Sequence, residues 1–275
     1  MTRLFLASWT ARPYLLAEAK PPYVLDSFHY FKKVSGKSER TVMDYVLSDD
    51  CKMFLLDSGA FTYMAEIKNS GSVKVNFDKY VEEYAAFINK YDIQYFFELD
   101  IDSVVGLEKV EQLRAKLESL TGKKCIPVFH KSRGKEYWFK MIQEYDYVAL
   151  GGIAIKDFKK SEHKLFKWFI DTAHKANTKI HGLGYTNDSI TKRNNFDSVD
   201  STSWLGGSRF GNLDMYDPVK KKLIKYPRPA NTKTVKGFYK HADYLQCIEW
   251  VKWDNILKKL TKERCCGDDS LYIVC

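Results

Sequence analysis

The sequence lacks any long hydrophobic run: no apolar stretch in its 275 residues approaches the roughly 20 residues that cross a bilayer. The opening letters MTRLFLASWTAR interrupt their apolar stretch too early for a secretory signal. Hydrophobic residues still make up 45% of the chain and aromatic residues 15%, enough for a substantial core, which excludes disorder throughout. We therefore expect a soluble cytoplasmic protein that makes no membrane contact.

Cysteine is sparse and irregularly spaced, with six residues at positions 51, 125, 247, 265, 266 and 275. A chain of this length does not need disulfide staples, so the pattern favours reduced thiols. There is no Cys-x-x-Cys pair, and the adjacent Cys265 and Cys266 are unsuited to tetrahedral zinc ligation. The Gly-rich sequences that bind dinucleotides or nucleoside triphosphates are missing as well. We predict no metal site and no cofactor.

Positive charge is in excess, with a formal net charge of +9, and it is concentrated in one segment. Residues 217–240 carry eight lysines and arginines against one acid, which gives this segment a net charge of +7. A local basic surface of this kind is typical of a polyanion partner such as nucleic acid. The alternative interpretation is a solvated hairpin and linker that is merely rich in lysine.

Short apolar runs alternate with longer amphipathic ones along most of the chain. The predicted strands, most of them apolar at nearly every position, are Leu4–Ser8, Met53–Asp57, Tyr95–Asp100, Ile126–His130, Tyr147–Gly151, Lys179–Leu183 and Phe196–Ser201. The predicted helices between them are Phe77–Tyr91, Leu107–Leu120, Lys135–Tyr145 and Glu162–Ala176. This order predicts a parallel α/β fold, and the length suits a (β/α)8 barrel whose eighth strand the pattern does not place. An open doubly wound sheet shows the same alternation.

Polar residues and glycines follow the predicted strands where each one ends. Examples are Asp57, His130, Gly151, Gly184 and Asp200. In a parallel barrel these ends converge on one mouth, which favours the barrel over the open sheet. We assign residues 1–232 to the barrel, including a basic hairpin near residues 213–230. Residues 233–275 are assigned to a C-terminal helix, predicted over Ala242–Leu260, and a tail that packs on the barrel.

Five aspartates end predicted strands, where an ionised carboxylate is costly unless it faces a pocket or a partner. They are Asp57, Asp100, Asp102, Asp197 and Asp200. Paired carboxylates around an anomeric carbon can act as a nucleophile and a proton shuttle. The alternative is that each caps a helix or binds a neighbouring loop. His130 is equally open: it could donate to a base or phosphate, or it could be structural.

Three motifs occur in the order found in tRNA-guanine transglycosylases. Asp57-Ser58-Gly59-Ala60-Phe61-Thr62 resembles the Asp-Ser-Gly-Gly-Phe-Gln signature of that family. Ala149-Leu150-Gly151-Gly152-Ile153-Ala154 resembles the Gly-Gly strand that binds the base. Phe196-Asp197-Ser198-Val199-Asp200-Ser201 resembles the strand of the nucleophile, with the same Asp-x-x-Asp spacing. The resemblance extends from about residue 52 to residue 211, more than half of the chain.

The resemblance implies a role for each matching residue. Asp200 would be the nucleophile that expels guanine and leaves a covalent nucleoside ester, and Asp57 the general acid/base. Asp197 is the alternative nucleophile if Phe-Asp is aligned directly. The base-binding residues implied by the match are Ser58, Asp100, His130, Gly151, Gly152, Ile153 and Ala154. A carboxylate nucleophile with a second acid needs neither a metal nor a redox cofactor.

Departures from the family bear on the substrate. A short basic segment stands where the tRNA enzymes carry a zinc subdomain, Ala60 replaces a glycine, and His130 replaces a glutamine that contacts the base. This pattern is closer to compact relatives of bacteriophages and bacteria that exchange guanine in DNA for a 7-deazaguanine. The predicted partners are therefore DNA, with tRNA as the alternative, and a free base such as 7-cyano-7-deazaguanine. If the chain is phage-encoded, its compartment is the host cytoplasm, and a homodimer is possible.

A base inside a duplex is out of reach of a carboxylate at a strand end, so a DNA substrate would have to be flipped into the mouth. The candidates for holding its backbone are Arg209, Lys220, Lys221, Lys222 and Arg228. Two other functions use the same residues. A nucleosidase or glycoside hydrolase would transfer the sugar to water, and a catalytically silent barrel would only bind nucleic acid.

Overall fold

Parallel strands form the centre of the fold. The computed structural model describes residues 2–59, 62, 75–152, 158–185, 194–228, 231 and 236–267. Its parallel strands are β1 (Arg3–Ala7), β2 (Tyr23–Ser27), β3 (Met53–Asp57), β4 (Val128–Phe129), β5 (Tyr147–Leu150), β6 (Lys179–Gly182) and β7 (Ser198–Ser201). They are hydrogen-bonded in the order β3-β2-β1-β7-β6-β5-β4.

Segment 95–98 joins the two edges of this sheet. Phe96 bridges Leu56 of β3, and Phe97 bridges Ile126, two residues before β4; both bridges are parallel. The Phe97 amide donates to Leu56 O at 2.9 Å, and the Glu98 amide donates to Ile126 O at 3.1 Å. With this segment the sheet closes on itself through eight positions. The predicted (β/α)8 barrel is confirmed, and the open sheet is excluded.

The strand that the sequence did not place is β2, between β1 and β3 in the sheet. Its apolar run is broken by Asp26, a residue that strands disfavour. In the structure Asp26 is fully buried and accepts hydrogen bonds from the Thr10 amide at 2.6 Å and the Ser27 amide at 2.8 Å. These donors let an acidic residue sit inside a buried strand.

Each strand contributes to two apolar layers because successive side chains point to opposite faces. The barrel interior is filled by one layer, which includes Phe5, Leu25, Leu55, Phe97 and Val128. The residues between them along the chain pack outward, in the larger cluster that joins the sheet to the helices. This alternation determines which strand-end residues can face the mouth.

The helices cover the outside of the barrel. Their bounds are α1 (Leu16–Ala19), α2 (Phe28–Phe31), α3 (Gly36–Val46), α4 (Phe77–Lys90), α5 (Asp102–Val105), α6 (Leu107–Thr121), α7 (Lys135–Glu144), α8 (Leu165–Lys175), α9 (Gly206–Phe210) and α10 (Phe238–Gly267). On α4 one face is buried, with Tyr80, Tyr84, Phe87 and Ile88, and the Tyr84 hydroxyl donates to Leu56 O of β3 at 3.0 Å. Among the described helices, none is long and apolar enough to cross a membrane.

Strands β8 (Leu213–Asp217) and β9 (Lys222–Tyr226) form an antiparallel hairpin against α10. The Asp214 amide donates to Gln246 Oε1 at 3.0 Å, so a helix side chain pairs the outer edge of β8. About two turns further along α10, Asp254 contacts β1: the Leu4 amide donates to its Oδ1 atom at 2.9 Å. The division of the chain at residue 232 remains a prediction.

Candidate functional site

The carboxyl ends of the strands surround one cavity of about 310 Å³. Six of the predicted catalytic and base-binding residues line it: Asp57, Asp100, His130, Gly151, Gly152 and Asp200. They come from five different strand ends and are up to 143 residues apart, yet they share this one space. The expected convergence at the mouth of the barrel is therefore found.

Strand alternation explains why these side chains face inward. Asp57 follows Leu55 by two positions, His130 follows Val128 by two, and Leu55 and Val128 both fill the barrel interior. Side chains two apart on a strand share a face, so the last inward position of each strand opens into the cavity. The barrel interior is thus apolar at its centre and polar at the carboxyl ends of the strands.

Asp57 is the acid whose protonation the site alters most clearly. Burial and, after it, the nearby charge of Asp100 raise the pKa of its carboxyl from 3.8 to about 7, against the hydrogen bond from the Gly59 amide. That amide donates to Asp57 Oδ2 at 3.1 Å. A carboxyl with a pKa near neutrality can both give and take a proton, as an acid/base catalyst must.

Gly59 is required by the tight packing behind Asp57. Its φ is +78°, and a Cβ atom at this position would lie 2.3 Å from His29 Cβ and 2.6 Å from Ser27 Oγ. Only glycine fits both the left-handed backbone and the space. Ser58 is fully buried, and its carbonyl accepts a hydrogen bond from the Tyr80 hydroxyl at 2.5 Å. It lies behind the cavity rather than among the lining residues.

Asp100 and His130 form a pair on the cavity wall, with His130 Nε2 3.4 Å from Asp100 Oδ2. Burial opposes protonation of His130, but the neighbouring carboxylate of Asp100 outweighs it and raises the pKa of the imidazole. The buried Nδ1 atom has no hydrogen-bond partner among the described residues. This pair offers an acceptor and a donor to a polar, planar ligand.

Glycines keep the wall beside His130 open. A Cβ atom on Gly151 would lie 3.0 Å from His130 Cε1 and 2.9 Å from Val128 Cγ1, so a larger residue would displace the imidazole. Gly152 has a φ of +95°, which favours glycine. The predicted neighbours Ile153 and Ala154 lie outside the described residues, as do Ala60 and Phe61 of the first motif.

Asp200 is held by two donors on one oxygen. The Gly184 amide donates to Asp200 Oδ1 at 2.7 Å, and His181 Nε2 lies 3.2 Å from the same atom. Among the described residues, none donates to Oδ2. An oriented carboxylate with one uncommitted oxygen is suited to nucleophilic attack.

Asp197 lies outside this cavity. It precedes β7 at the amino end of the strand, where its Oδ2 atom lies 2.9 Å from His174 Nε2 and accepts from the Ile180 amide at 2.8 Å. Burial would raise the pKa of Asp197, but these two hydrogen bonds outweigh it and lower the pKa. Of the two aspartates, Asp200 therefore lines the cavity and Asp197 does not.

Asp102 and Glu98 have arginine partners and do not line the cavity. Arg133 binds both oxygens of Asp102, at 2.6 and 2.7 Å, and also Glu98 Oε1 at 2.9 Å. Arg114 binds the other oxygen of Glu98 at 3.2 Å. This buried ion cluster secures the chain on either side of Asp100 and leaves Asp100 as the acid of this segment that faces the cavity.

The predicted backbone-binding cations lie on the surface, outside the cavity lining. Arg209 is exposed on α9, which begins four residues after the lining residue Thr202. Lys220, Lys221 and Lys222 are exposed at the turn of the hairpin. Arg228 is exposed and packs along Gly211, whose Cβ would lie 3.0 Å from Arg228 Cδ. None of these groups lines the cavity. The Asp214 amide pairs with Gln246 and the Tyr216 amide with Glu249, so β8 runs along α10 toward Asp254, which binds the Leu4 amide at the amino end of β1.

Three aromatic residues that could stack on a base lie near the acids in the sequence: Trp204, Phe210 and Tyr185. Trp204 and Tyr185 are fully buried, and Trp204 stacks on Trp9 in the core. Phe210 is 71% exposed, so it is the one of the three that a ligand can reach.

Other lining residues carried no signal in the sequence. Ser27 ends the unplaced strand β2, Tyr30 lies on the following helix α2, and Ser8 adopts a φ of +73° after β1. A correct assignment of β2 is the one signal that could have found Ser27. His181, beneath Asp200, was also missed, because a single histidine in an apolar strand is indistinguishable from a core residue.

No group of three or more His, Cys, Asp and Glu side chains in the described part of the chain has the arrangement to hold a metal ion. Cys51, Cys125 and Cys247 are free thiols, while the side chains of the other three cysteines lie outside the described part.

Comparisons with known proteins bear on the fold. No family model matches the chain, and no curated protein matches it. A solved structure assigned as a fructose-1,6-biphosphate aldolase from Coccidioides immitis is similar over 96% of this chain and 92% of its own, with a TM-score of 0.54 and 10% identity. The likeness shows a shared fold. Thiamine phosphate pyrophosphorylase from Pyrococcus furiosus matches over 95% of this chain and 96% of its own, with a TM-score of 0.45 and 9% identity.

Proposed function

We propose that the protein is a base-exchange transglycosylase that replaces guanine in DNA with a 7-deazaguanine derivative. The observation that carries the proposal is the single cavity that contains Asp57, Asp100, His130 and Asp200. It supplies a nucleophile, an acid/base with a pKa near neutrality and a polar pair for the base. The motif resemblance supplies the substrate class.

In the first half-reaction an oxygen of Asp200 bonds to the anomeric carbon of the target nucleotide. The bond from that carbon to N9 of guanine breaks, its electron pair goes to the base, and the base takes a proton from Asp57. The result is an aspartyl ester of the sugar and free guanine. The attacking atom is Oδ2 of Asp200, to which none of the described residues donates a hydrogen bond.

In the second half-reaction Asp57 removes the N9 proton of an incoming 7-deazaguanine. N9 then bonds to the anomeric carbon, and the ester bond breaks with its electrons returning to Asp200. Both carboxyls regain their starting state, and the exchange is balanced without an oxidant or a reductant. A pKa of about 7 for Asp57 suits this double use at neutral pH.

Recognition of the base falls to Asp100 and His130. A carboxylate accepts from the ring N–H and exocyclic amine that guanine and 7-deazaguanine share. Protonated His130 can donate to an acceptor on the base, and the glycine wall at Gly151 and Gly152 admits a flat ring. A pocket with this chemistry distinguishes a guanine-like base from adenine.

DNA is the polymer that the resemblance favours, because the zinc subdomain of the tRNA enzymes has no counterpart in the sequence motifs. The exposed cations at Arg209, the hairpin turn and Arg228 are suited to contacting phosphates of a polyanion. The target guanosine must leave the helix, which costs a few kcal/mol of stacking and pairing.

The test is to incubate the protein with guanine-containing DNA or with tRNA and radiolabelled guanine, and to measure label in the polymer. A denaturation-resistant adduct should form, disappear in Asp200→Asn and persist in Asp197→Asn, a matched substitution on the same segment. Label in tRNA alone would make tRNA the substrate. Release of guanine with no label in either polymer would indicate a hydrolase. The absence of both an adduct and guanine release would indicate a protein that only binds nucleic acid.

A further inference from the structure

A histidine lies directly beneath the nucleophile candidate, inside the barrel. His181 on β6 is fully buried, with its ring centroid 5.2 Å from that of Phe97 and 6.1 Å from that of Phe5. Nε2 lies 3.2 Å from Asp200 Oδ1, and Nδ1 lies 2.5 Å from the Ser198 hydroxyl oxygen. A polar ring in an apolar interior needs both of its nitrogens paired, and both are.

The network continues to a fourth residue, since the Ser198 hydroxyl also bonds the Tyr147 hydroxyl. Burial raises the pKa of Tyr147, which keeps its hydroxyl protonated and able to donate. Tyr147, His181, Ser198 and Asp200 thus connect the floor of the barrel to the cavity through neighbouring strands β5, β6 and β7.

With a neutral imidazole, the donors in this network point in one consistent direction. An ionised carboxylate only accepts hydrogen bonds, so His181 Nε2 must carry the proton that faces Asp200. Nδ1 of the neutral ring is then an acceptor, which the Ser198 hydroxyl fills as a donor. The Ser198 oxygen in turn accepts from Tyr147. The outer residues therefore fix the tautomer that the carboxylate requires.

We propose that His181 is a positioning residue for the nucleophile: its Nε2–H, held in place by Ser198 and Tyr147, binds Oδ1 of Asp200 and turns Oδ2 toward the sugar. The proposal rests on the proposed function. The same bond, with that of the Gly184 amide, stabilises the charge that returns to Asp200 when the ester breaks. His181 itself touches neither base nor sugar, and no proton passes through it.

Two substitutions at this position separate the proposal from a packing role. In His181→Gln the side-chain amide nitrogen can reach the place of Nε2, whereas in His181→Asn it reaches only the place of Nδ1. At saturating DNA, His181→Asn should slow adduct formation by about 10- to 100-fold, and His181→Gln should stay within about fivefold of the wild type. The DNA concentration for half-maximal rate should not change, because His181 does not contact substrate.

Equal rates for wild type and His181→Asn, or equal losses in both variants, would overturn the proposal. Equal losses with a lowered melting temperature would show that the histidine only packs. A wild-type protein that forms no adduct would refute the proposed function, and a second measurement then tests the network alone. Nitrogen NMR of His181 should show the Nε2–H tautomer in the wild type and a changed tautomer balance in Ser198→Ala. An Nδ1–H tautomer in the wild type would contradict the assignment.

Discussion

Asp57 should make the protein less stable at neutral pH than an amide in its place would. Burial, with the charge of Asp100, raises its pKa from 3.8 to about 7. Between these values the native state holds a proton that the unfolded state has lost, so stability falls as pH rises from about 4 to about 7. At about 1.4 kcal/mol per pKa unit, the full effect is about 4 kcal/mol. Solvent in the open cavity reduces it to roughly 2 kcal/mol.

The variant Asp57→Asn removes this pH-dependent contribution to stability and keeps the shape of the side chain. We expect urea unfolding at pH 5 and pH 8 to show that stability falls between the two by about 2 kcal/mol more in the wild type than in the variant. The buried Asp26, whose pKa burial raises to about 7, contributes equally to both proteins and cancels. Parallel pH dependence in the two proteins would refute the reasoning.

Asp197→Asn is the matched control, because the pKa of Asp197 is lowered: its hydrogen bonds to His174 and Ile180 outweigh burial. Its ionised form stabilises the fold above about pH 4, and this contribution is lost as pH falls through the lowered pKa. The variant should therefore be less stable than the wild type at pH 8, by about 1 kcal/mol. Two aspartates at strand ends should thus give stability changes of opposite sign.

Three further results are expected. Asp100→Asn removes a charge that raises the pKa of Asp57, so the pH optimum of kcat for base exchange should move to lower pH. An unchanged optimum would show that the charge of Asp100 does not affect the protonation of Asp57. Gly59→Ala should destabilise the protein by about 3 kcal/mol, because the added Cβ would lie 2.3 Å from His29 Cβ. Gly122→Ala, with a φ of +67° and nothing within 4 Å, should cost only about 1 kcal/mol. Similar melting temperatures for the two variants would contradict this reasoning. Replacing the three lysines 220–222 by alanine should reduce the slope of log affinity against log salt by about 2 to 3, and an unchanged slope would place the phosphates elsewhere.

The alternation of strands and helices and the convergence of Asp57, Asp100 and Asp200 were predictable because both follow from local pattern. Asp57, His130 and Asp200 end apolar runs, and the ends of parallel strands meet at one mouth whatever lies between them. Helix bounds were predictable for the same reason: the apolar stripe of α4 fixes both its extent and its buried face.

Strand β2 could not be predicted, since Asp26 interrupts its apolar pattern. Its burial depends on the amide of Thr10, 16 positions earlier in the chain, and no local pattern shows that contact. The choice between Asp197 and Asp200 was open for a similar reason. Residues three apart on a strand face opposite sides, but only the bounds of β7 show which end each residue occupies.

The sequence by itself determined the alternation of strands and helices, the residues at the strand ends and the resemblance that names a chemistry. Only the tertiary structure decided that Asp57 has a pKa near 7, that Asp200 is held through one oxygen and that His181 lies beneath it. Burial, neighbouring charge and hydrogen-bond direction depend on residues brought together by the closed barrel, and their separation along the chain hides them from any local pattern.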